Sequence, residues 1–316
     1  MQIAIILPSY NESLTIENVI KDFHSELPDS SIIVIDNNSN DNTKKLAEET
    51  LNKLNCRGGV WSVRRQGKAN AIRWAFQHVD ADYYVMVDAD STYPSESIHE
   101  LLNEIEKEDI DMVVGDRLTQ GDYNTATSRS FHTFGNNLVR WFINFLFKTK
   151  LSDIMSGYRV FSRRFIRTFP ILCEGFELET ELTLHALDKR LGIREVPIEL
   201  KRRPKGSVSK LNTFSDGFRV IKTIFHVFKH YRPLSFFGSL ASFFCSIGLL
   251  CGTLPIYEYI EFQYISRVPL AILASSIMVF SLVLLAIGLI LDTVSYSQKI
   301  QFEQNLQRET DHKSIE

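Results

Sequence analysis

Along residues 1–115, short apolar runs alternate with stretches of helical periodicity, and the polar residues that interrupt the pattern fall at the ends of the apolar runs. Ile3 to Leu7 predicts a first strand, Glu12 to Glu26 a helix, Ser31 to Asp36 a second strand and Asp41 to Leu54 a second helix. Trp61 to Val63 is a weaker strand, Gly67 to His78 a helix, Tyr83 to Asp88 a strand, Pro94 to Glu106 a helix and Met112 to Gly115 a further short strand. This alternation is the signature of an α/β domain with a largely parallel sheet. Ligands of open α/β sheets sit in the crevice beyond the carboxyl ends of the strands. Three polar clusters, Pro8 to Glu12, Asp36 to Asp41 and Asp88 to Asp90, are therefore expected to converge on one edge.

From Asp116 to Lys210 the pattern is less regular, with arginines scattered among small polar residues. Between Asn212 and Tyr231, Phe214, Phe218, Ile221, Ile224, Phe225 and Phe228 recur at helical spacing beside Arg219, Lys222 and Lys229. That is the pattern of a helix lying in a membrane interface or of an amphipathic helix packed on a domain surface. No residue from Pro233 to Tyr257 is charged, nor any from Val268 to Leu291. Each run exceeds the roughly 20 residues that a helix needs to cross the hydrocarbon core, so the expectation is two spans, with a pair of buried core helices as the alternative. Gly238, Gly248 and Gly252 suit close helix packing in a hairpin, and equally packing between copies in a homo-oligomer. The link between the spans carries Glu258, Glu261 and Arg267, whereas Lys222, Lys229, His230 and Arg232 precede the first. By the positive-inside tendency, the large N-terminal part and the C-terminal tail are both cytoplasmic, on a cytoplasmic (inner) cell membrane. The chain thus divides into a domain over 1–211, a juxtamembrane amphipathic helix over 212–232, two spans over 233–291 and a polar tail over 292–316, expected to fray after Tyr296.

Composition narrows this picture without changing it. A length of 316 residues has room for one large or two modest domains, and a net charge of −3 does not mark a nucleic-acid binder. The four cysteines, Cys56, Cys173, Cys245 and Cys251, form no CxxC pair, which fits a reduced compartment. Met1 leads straight into Ile3 to Leu7, a run too short for a signal-peptide core and without a basic n-region.

The candidate chemistry begins with Asp88-Ala89-Asp90 at the end of an apolar strand. Side chains alternate on a strand, so these two carboxylates point the same way if the extended geometry persists, and together they suit one hard divalent cation, Mg2+ or Mn2+. Asp36 ends a buried strand, where its carboxylate can accept from a base N–H or a ribose hydroxyl, or else cap the following helix; Asp41 is the better candidate for that cap. Lys68 follows Gly67 near the start of a helix, where dipole and ammonium together favour phosphate oxygens; a solvated surface lysine is the alternative.

Taken in order, Pro8-Ser9-Tyr10-Asn11-Glu12, Asp36-Asn37-Asn38-Ser39-Asn40-Asp41, Gly67-Lys68-Ala69-Asn70-Ala71 and Asp88-Ala89-Asp90 resemble the family-2 glycosyltransferases with the GT-A (Rossmann-like) fold. Among these the chain is similar to the polyprenyl-phosphate glycosyltransferases, whose membrane-anchored members carry a C-terminal pair of spans. The resemblance implies that Pro8, Tyr10 and Glu12 frame a nucleoside, with Asp36 near the base, Lys68 near the diphosphate, and Asp88 and Asp90 on the metal. Where the family often has Asp-x-Asp-x-Gln, this chain has Thr92, a hydroxyl in place of an amide oxygen. Water and diphosphate oxygens would complete the shell.

For an acceptor, Arg117, Ser128, Arg129, Arg159, Arg203, Lys205, Ser207 and Lys210 offer the guanidinium forks and ammonium groups that a lipid phosphate requires. Arg117 and Arg129 resemble the family's acceptor-phosphate arginines; pairing with Asp116 or Asp122 on a solvated loop is the alternative. Ser156-Gly157-Tyr158-Arg159, with Asp153 before it, resembles the segment beneath the acceptor. The stretch Lys201 to Lys210 reads as a loop closing over phosphates or as a contact with anionic lipid. Glu177, Glu179 and Glu181 alternate as a strand face would or stand as acids at a helix start, the latter needing no chemistry, and His185 reads as a packed histidine. The implied activity is inverting transfer of a hexose from a nucleotide diphosphate sugar to polyprenyl (undecaprenyl) phosphate, making a lipid-linked donor for cell-envelope glycosylation. UDP-glucose leads, followed by UDP-N-acetylglucosamine and GDP-mannose. The alternatives are a processive polysaccharide synthase, whose Gln-x-x-Arg-Trp motif is only echoed by Asn137-Leu138-Val139-Arg140-Trp141, and a non-catalytic sugar-nucleotide-binding membrane scaffold.

Overall fold

The computed structural model describes residues 1–119, 130–171, 178–201, 222 and 224–313. The chain forms two compact units, Met1–Asp216 and Gly217–Glu316.

In the first unit, β1 (Ile3–Ser9), β2 (Ser31–Asp36), β3 (Arg57–Ser62), β4 (Tyr83–Met86), β5 (Met112–Asp116), β6 (Arg159–Ser162) and β7 (Ile193–Pro197) form one sheet in the order β3-β2-β1-β4-β6-β5-β7. The pairings β1–β2, β1–β4, β2–β3 and β5–β7 are parallel, and β6 runs antiparallel to both β4 and β5. Strands buried on both faces read as continuous apolar runs rather than alternating ones, and Ala4 to Leu7 and Ile32 to Ile35 are all buried. The helices follow the expected order. In α1 (Ile16–Glu26) the buried residues Ile16, Val19, Ile20 and Phe23 form one stripe, and α4 (Ile98–Ile105) repeats the spacing with Ile98, Leu101, Leu102 and Ile105. Each such side chain contributes about 1.5–3 kcal/mol of burial, so a charge at Ile20 would detach α1 from the sheet.

Three differences from the expected elements have local causes. Strand β3 begins at Arg57, four residues before Trp61, because Gly58 and Gly59 hide it. Gly58 sits at φ +112°, and a Cβ there would fall 2.1 Å from the Ile32 carbonyl oxygen, so β2 and β3 pair only if this position is bare. Strand β4 ends at Met86, and Asp88 to Asp90 lie in the turn beyond it, with Ser91 at φ +57°. The alternation of an extended strand therefore does not orient the two aspartates. Strands β6 and β7 are short and carry Arg159, Arg194 and Glu195, which conceals them from a search for apolar runs.

The remaining helices of the first unit are α2 (Thr43–Lys53), α3 (Lys68–His78), α5 (Ser130–Phe147), α6 (Arg163–Thr168) and α7 (Leu178–Asp188). Phe23, Tyr93 and Tyr158 meet at the core, with ring centroids 5.9 Å apart for Phe23–Tyr158 and 5.4 Å for Tyr93–Tyr158. This cluster ties α1 to the loop after Asp90 and to the segment before β6.

In the second unit, α8 (Pro233–Phe262) and α9 (Val268–Lys313) are both long and apolar enough to cross a membrane. They pack antiparallel: Gly288 faces Leu234 and Phe237, the Ser281 hydroxyl donates to the Ala241 carbonyl at 2.7 Å, Gly248 meets Met278 and Gly252 meets Ala274. Gly238, expected in this seam, has open space around it. At the turn, Gln263 closes α8 in the left-handed conformation, and Glu258 accepts from the Ser266 hydroxyl at 2.8 Å and pairs with Arg267 at 3.2 Å. Leu250 and Leu282, 71% and 70% exposed, typify an outer surface that is itself apolar. Helix α9 runs on past Tyr296, where the change of composition predicts fraying, and ends at Lys313. Its polar tail is rich in Gln, Glu, Lys and Arg, all good helix formers. Of the expected amphipathic helix, residues 212–221 lie outside the described residues, and residues 224–231 are helical, with Phe225 and Phe228 edge-on to Phe236 at 4.9 and 5.4 Å.

Candidate active site

The polar ends of β1, β2 and β4 and the start of α3 meet at the carboxyl edge of the sheet, and side chains lace their loops together. Asn11, at φ +53°, donates its backbone N–H to the Ser39 hydroxyl at 3.0 Å and accepts from the Asn40 N–H at 2.8 Å. The Glu12 N–H donates to the Thr43 hydroxyl at 2.8 Å. Buried Thr15 donates to the Ala89 carbonyl at 2.7 Å, joining the Pro8 to Glu12 loop to the aspartate turn. Pro8, Tyr10 and Glu12 are partly exposed along this edge. Asp36 is buried and accepts from the Ser39 N–H at 3.3 Å within its own loop. The N-cap position of the next helix is Asn42, which makes no side-chain cap, and Asp41 just before it accepts from the Thr43 N–H at 3.0 Å and from its hydroxyl at 2.5 Å. Burial works against the Asp41 charge, but the hydrogen bonds from Thr43 and Ser13 outweigh it and hold the carboxyl below its ordinary value.

Asn37 organises this edge, a role that the sequence reading does not assign. Its Oδ1 accepts from the Gly67 N–H at 2.6 Å, while Nδ2 donates to the Val63 and Arg65 carbonyls at 3.2 and 2.8 Å. One buried amide thereby fixes the entry to α3 and places Lys68. The available signal is its position immediately after a buried strand, where an amide with donors and acceptor can satisfy a loop on each side.

Lys68 Nζ lies 2.5 Å from Asp88 Oδ1 and 2.5 Å from Glu179 Oε1. Burial disfavours the ammonium, yet the two carboxylates outweigh it and raise its pKa above the ordinary value. Glu179 does lie in the first turn of α7, as an acid at a helix start should, but its side chain is buried against Lys68 from 111 residues away. Asp90 is buried, and its Oδ1 accepts from the Thr92 N–H at 3.1 Å and the Thr92 hydroxyl at 2.5 Å. Thr92 thus orients a carboxylate. Among the described residues no three His, Cys, Asp or Glu side chains cluster as a metal site. Two oxygen-donor carboxylates fit a hard divalent cation that takes its other ligands from diphosphate and water. Lys201, the first residue of the basic stretch, donates its N–H to the Thr92 carbonyl at 2.8 Å.

On the acceptor side, Asp122 lies outside the described residues, and Arg117 pairs with Asp153. Its Nε and Nη2 fork onto Asp153 Oδ2 and Oδ1 at 2.6 and 3.0 Å, and its backbone N–H adds a third bond at 3.2 Å. Asp153 is 2% exposed; burial pushes its carboxyl up, and the Arg117 hydrogen bonds and charge overcome this and hold it below the ordinary value. Glu195 of β7 accepts from the Ser152 and Asp153 N–H groups at 2.9 and 2.8 Å, and burial raises its own carboxyl. Arg140 donates to the Ser152 carbonyl at 2.9 Å, giving the Asn137 to Trp141 echo a local structural role.

Arg159, expected to face the acceptor, is fully buried beneath the site. Its guanidinium donates to the Ser156 carbonyl at 2.8 Å, the Ile154 carbonyl at 2.7 Å and the Thr183 hydroxyl at 2.9 Å, and burial pulls its pKa down to about 10. It clamps the 154–156 segment to α7 and cannot reach a lipid phosphate. His185 is packed as expected, edge-on to Phe165 and Phe169 at 5.5 and 5.1 Å, and burial lowers its pKa to about 4, leaving a neutral imidazole. Ser128, Arg129, Glu177, Arg203, Lys205, Ser207 and Lys210 lie outside the described residues.

A mixed sheet in this order, with an Asp-x-Asp turn at the end of its central parallel portion, defines a GT-A type glycosyltransferase fold. The chain belongs to glycosyl transferase family 2, whose model matches residues 4–169. Glycosyltransferase AglJ of Haloferax volcanii is 29% identical over 293 residues, covering 92% of this chain and 93% of that protein. A dolichyl-phosphate hexose transferase of the same organism is 28% identical over 225 residues, covering 71% and 93%. Dolichyl-phosphate beta-glucosyltransferase of Saccharomyces cerevisiae is 28% identical over 222 residues, covering 62% and 66%. Among solved structures, glucosyl-3-phosphoglycerate synthase from Mycobacterium tuberculosis in complex with Mn2+, UDP-glucose and phosphoglyceric acid matches with a TM-score of 0.56 at 22% identity, covering 72% of this chain and 79% of that one.

Proposed function

We propose that this glycosyltransferase transfers a hexose from a nucleotide diphosphate sugar to polyprenyl phosphate, inverting the anomeric configuration and releasing the nucleoside diphosphate. The observation that carries the reading is the pairing of Lys68 with Asp88 at one sheet edge, in the turn that also holds buried Asp90, in a chain that carries a membrane-length apolar hairpin. Relatives acting on dolichyl phosphate support the acceptor class. In this reading Pro8, Tyr10, Glu12 and Asp36 receive the nucleoside. Lys68 meets the diphosphate as negative charge develops on the leaving group. A Mg2+ or Mn2+ ion held by Asp88 and Asp90 would supply further charge neutralisation there.

The acceptor needs orientation more than deprotonation, because a phosphate with a second pKa of about 6 is largely dianionic at neutral pH. Arg117, its plane fixed by Asp153, and Arg129 with the basic stretch through Arg203, Lys205, Ser207 and Lys210 hold that phosphate in line with the anomeric carbon. The hairpin anchors the enzyme in the cytoplasmic membrane with the catalytic unit on the cytoplasmic side. UDP-glucose is the leading donor, ahead of UDP-N-acetylglucosamine and GDP-mannose.

The test is a donor panel. Detergent-purified protein, given undecaprenyl phosphate, Mg2+ or Mn2+ and each radiolabelled nucleotide sugar in turn, should label the lipid from one donor. The product should vanish with EDTA and in Asp90→Ala. A folded, nucleotide-binding protein that labels no lipid from any donor sinks the proposal.

A further inference from the structure

Lys68, Asp88 and Glu179 come together from a helix start, a strand-end turn and a distant helix, and they are shielded unequally. Side-chain exposure is 15% for Lys68 and 9% for Glu179 but 32% for Asp88, so the triad opens on the carboxylate that the proposed function gives to a divalent cation. Gly157 lies across that carboxylate: a Cβ there would fall 2.5 Å from Asp88 Oδ2 and 3.0 Å from Lys68 Nζ. The Gly157 N–H is in turn held by the Tyr93 hydroxyl at 2.9 Å, so this lid of bare backbone is fixed in place. An ammonium at hydrogen-bond distance from Asp88 Oδ1 occupies the side of the carboxylate that a metal ion would otherwise use, and the two cations repel.

We infer that Lys68 is a tethered cation that neutralises Asp88 in the donor-free site and, while keeping its bond to Glu179, exchanges Asp88 for the diphosphate when donor and metal arrive together, making Glu179 the positioning residue of the donor site. This rests on the hexosyl-transfer reading for the identity of the ligands. Its consequence is a binding order written into the triad. Metal alone competes with a built-in cation and binds weakly. A nucleoside diphosphate brings the negative charge that draws Lys68 away, so metal and nucleotide each strengthen the other's binding. Without the Glu179 charge, Lys68 has only Asp88 to pair with and the competition deepens.

The experiment measures Mn2+ binding to the full-length protein in detergent, by the paramagnetic resonance signal of free Mn2+, with and without UDP. The wild type should bind Mn2+ tightly only with UDP. Lys68→Met should bind Mn2+ alone about tenfold more tightly than the wild type and gain less from UDP, whereas Glu179→Gln should bind Mn2+ with UDP about tenfold more weakly. A purely structural role for Lys68 would weaken binding in both variants. If the wild type shows UDP-dependent Mn2+ binding and Lys68→Met binds Mn2+ alone no better than it does, the inference is overturned and the hexosyl-transfer reading survives. Should Lys68→Met lose its melting transition, Glu179→Gln decides, and an unchanged UDP-dependent affinity overturns the inference. A wild type that binds neither Mn2+ nor UDP overturns both readings.

Discussion

The donor and acceptor sides of the catalytic unit are built from different bonds. On the donor side, Thr15, Asn37 and Thr43 tie strand-end loops together through neutral hydroxyls and an amide, joined by one carboxylate, Asp41, and the charges at the centre are Lys68, Asp88, Asp90 and Glu179. On the acceptor side, the scaffold itself is ionic: Asp153 is locked to Arg117, Glu195 holds the Asp153 backbone, and Arg159 is buried whole. A largely neutral frame can keep its shape while charges at its centre change partners, as loading a metal and a diphosphate requires. An ionic frame holds one guanidinium in one orientation, which suits a surface that must align a phosphate and then release it.

The sharpest way to break this contrast is at Asp153. Replacing it by Ala leaves Arg117 without its buried partner and should cost about 3–5 kcal/mol of stability, read as a lowered melting temperature. A shift no larger than that of an exposed ion pair would mean that the acceptor side is not organised by this bond. Next in size is Gly157→Ala, whose methyl group would press on Asp88 and Lys68. Displacing these groups by about 1 Å should lower kcat/KM about 100-fold with little change in melting temperature. Activity near wild type would show that the triad tolerates a moved Asp88.

Thr15→Val tests the neutral frame. It removes the bond to the Ala89 carbonyl and leaves that acceptor buried, at a cost of about 1–3 kcal/mol, and should raise the donor KM more than it lowers kcat. The smallest effect is in the pH dependence. Because the folded Asp153 carboxyl lies below its ordinary value of 3.8, its contribution is complete above that pH and is lost as pH falls through the folded value. The stability gap between wild type and Asp153→Asn should therefore narrow below pH 3.8 and stay constant above it.

The same contrast explains what is legible in the sequence. The donor side is assembled from consecutive residues at strand ends, so Asp36, Lys68, Asp88 and Asp90 stand out by position in the apolar pattern. The acceptor side is assembled by pairs that no local spacing reveals, such as Arg117 with Asp153 across 36 residues, and a donor-side pair of this kind, Lys68 with Glu179 across 111, is equally hidden. Arg159 reads as a surface cation because arginine is rarely buried without partners, and its partners, two carbonyls, a hydroxyl and the Met112 sulfur, are ones that only the fold supplies. The apolar hairpin is plain from two uncharged runs, although composition does not distinguish Gly288, which packs at its base, from Gly238, where a side chain would point into open space.

The most direct test of the central claim is an acceptor competition with one donor. Radiolabelled UDP-glucose, or whichever donor the panel selects, is offered with undecaprenyl phosphate, undecaprenol or phosphoglyceric acid, and label is counted in the organic and aqueous phases. Hexosyl transfer to polyprenyl phosphate predicts label in the organic phase with undecaprenyl phosphate alone. Equal transfer to the free prenol, or transfer to the soluble phosphate in its place, would contradict it.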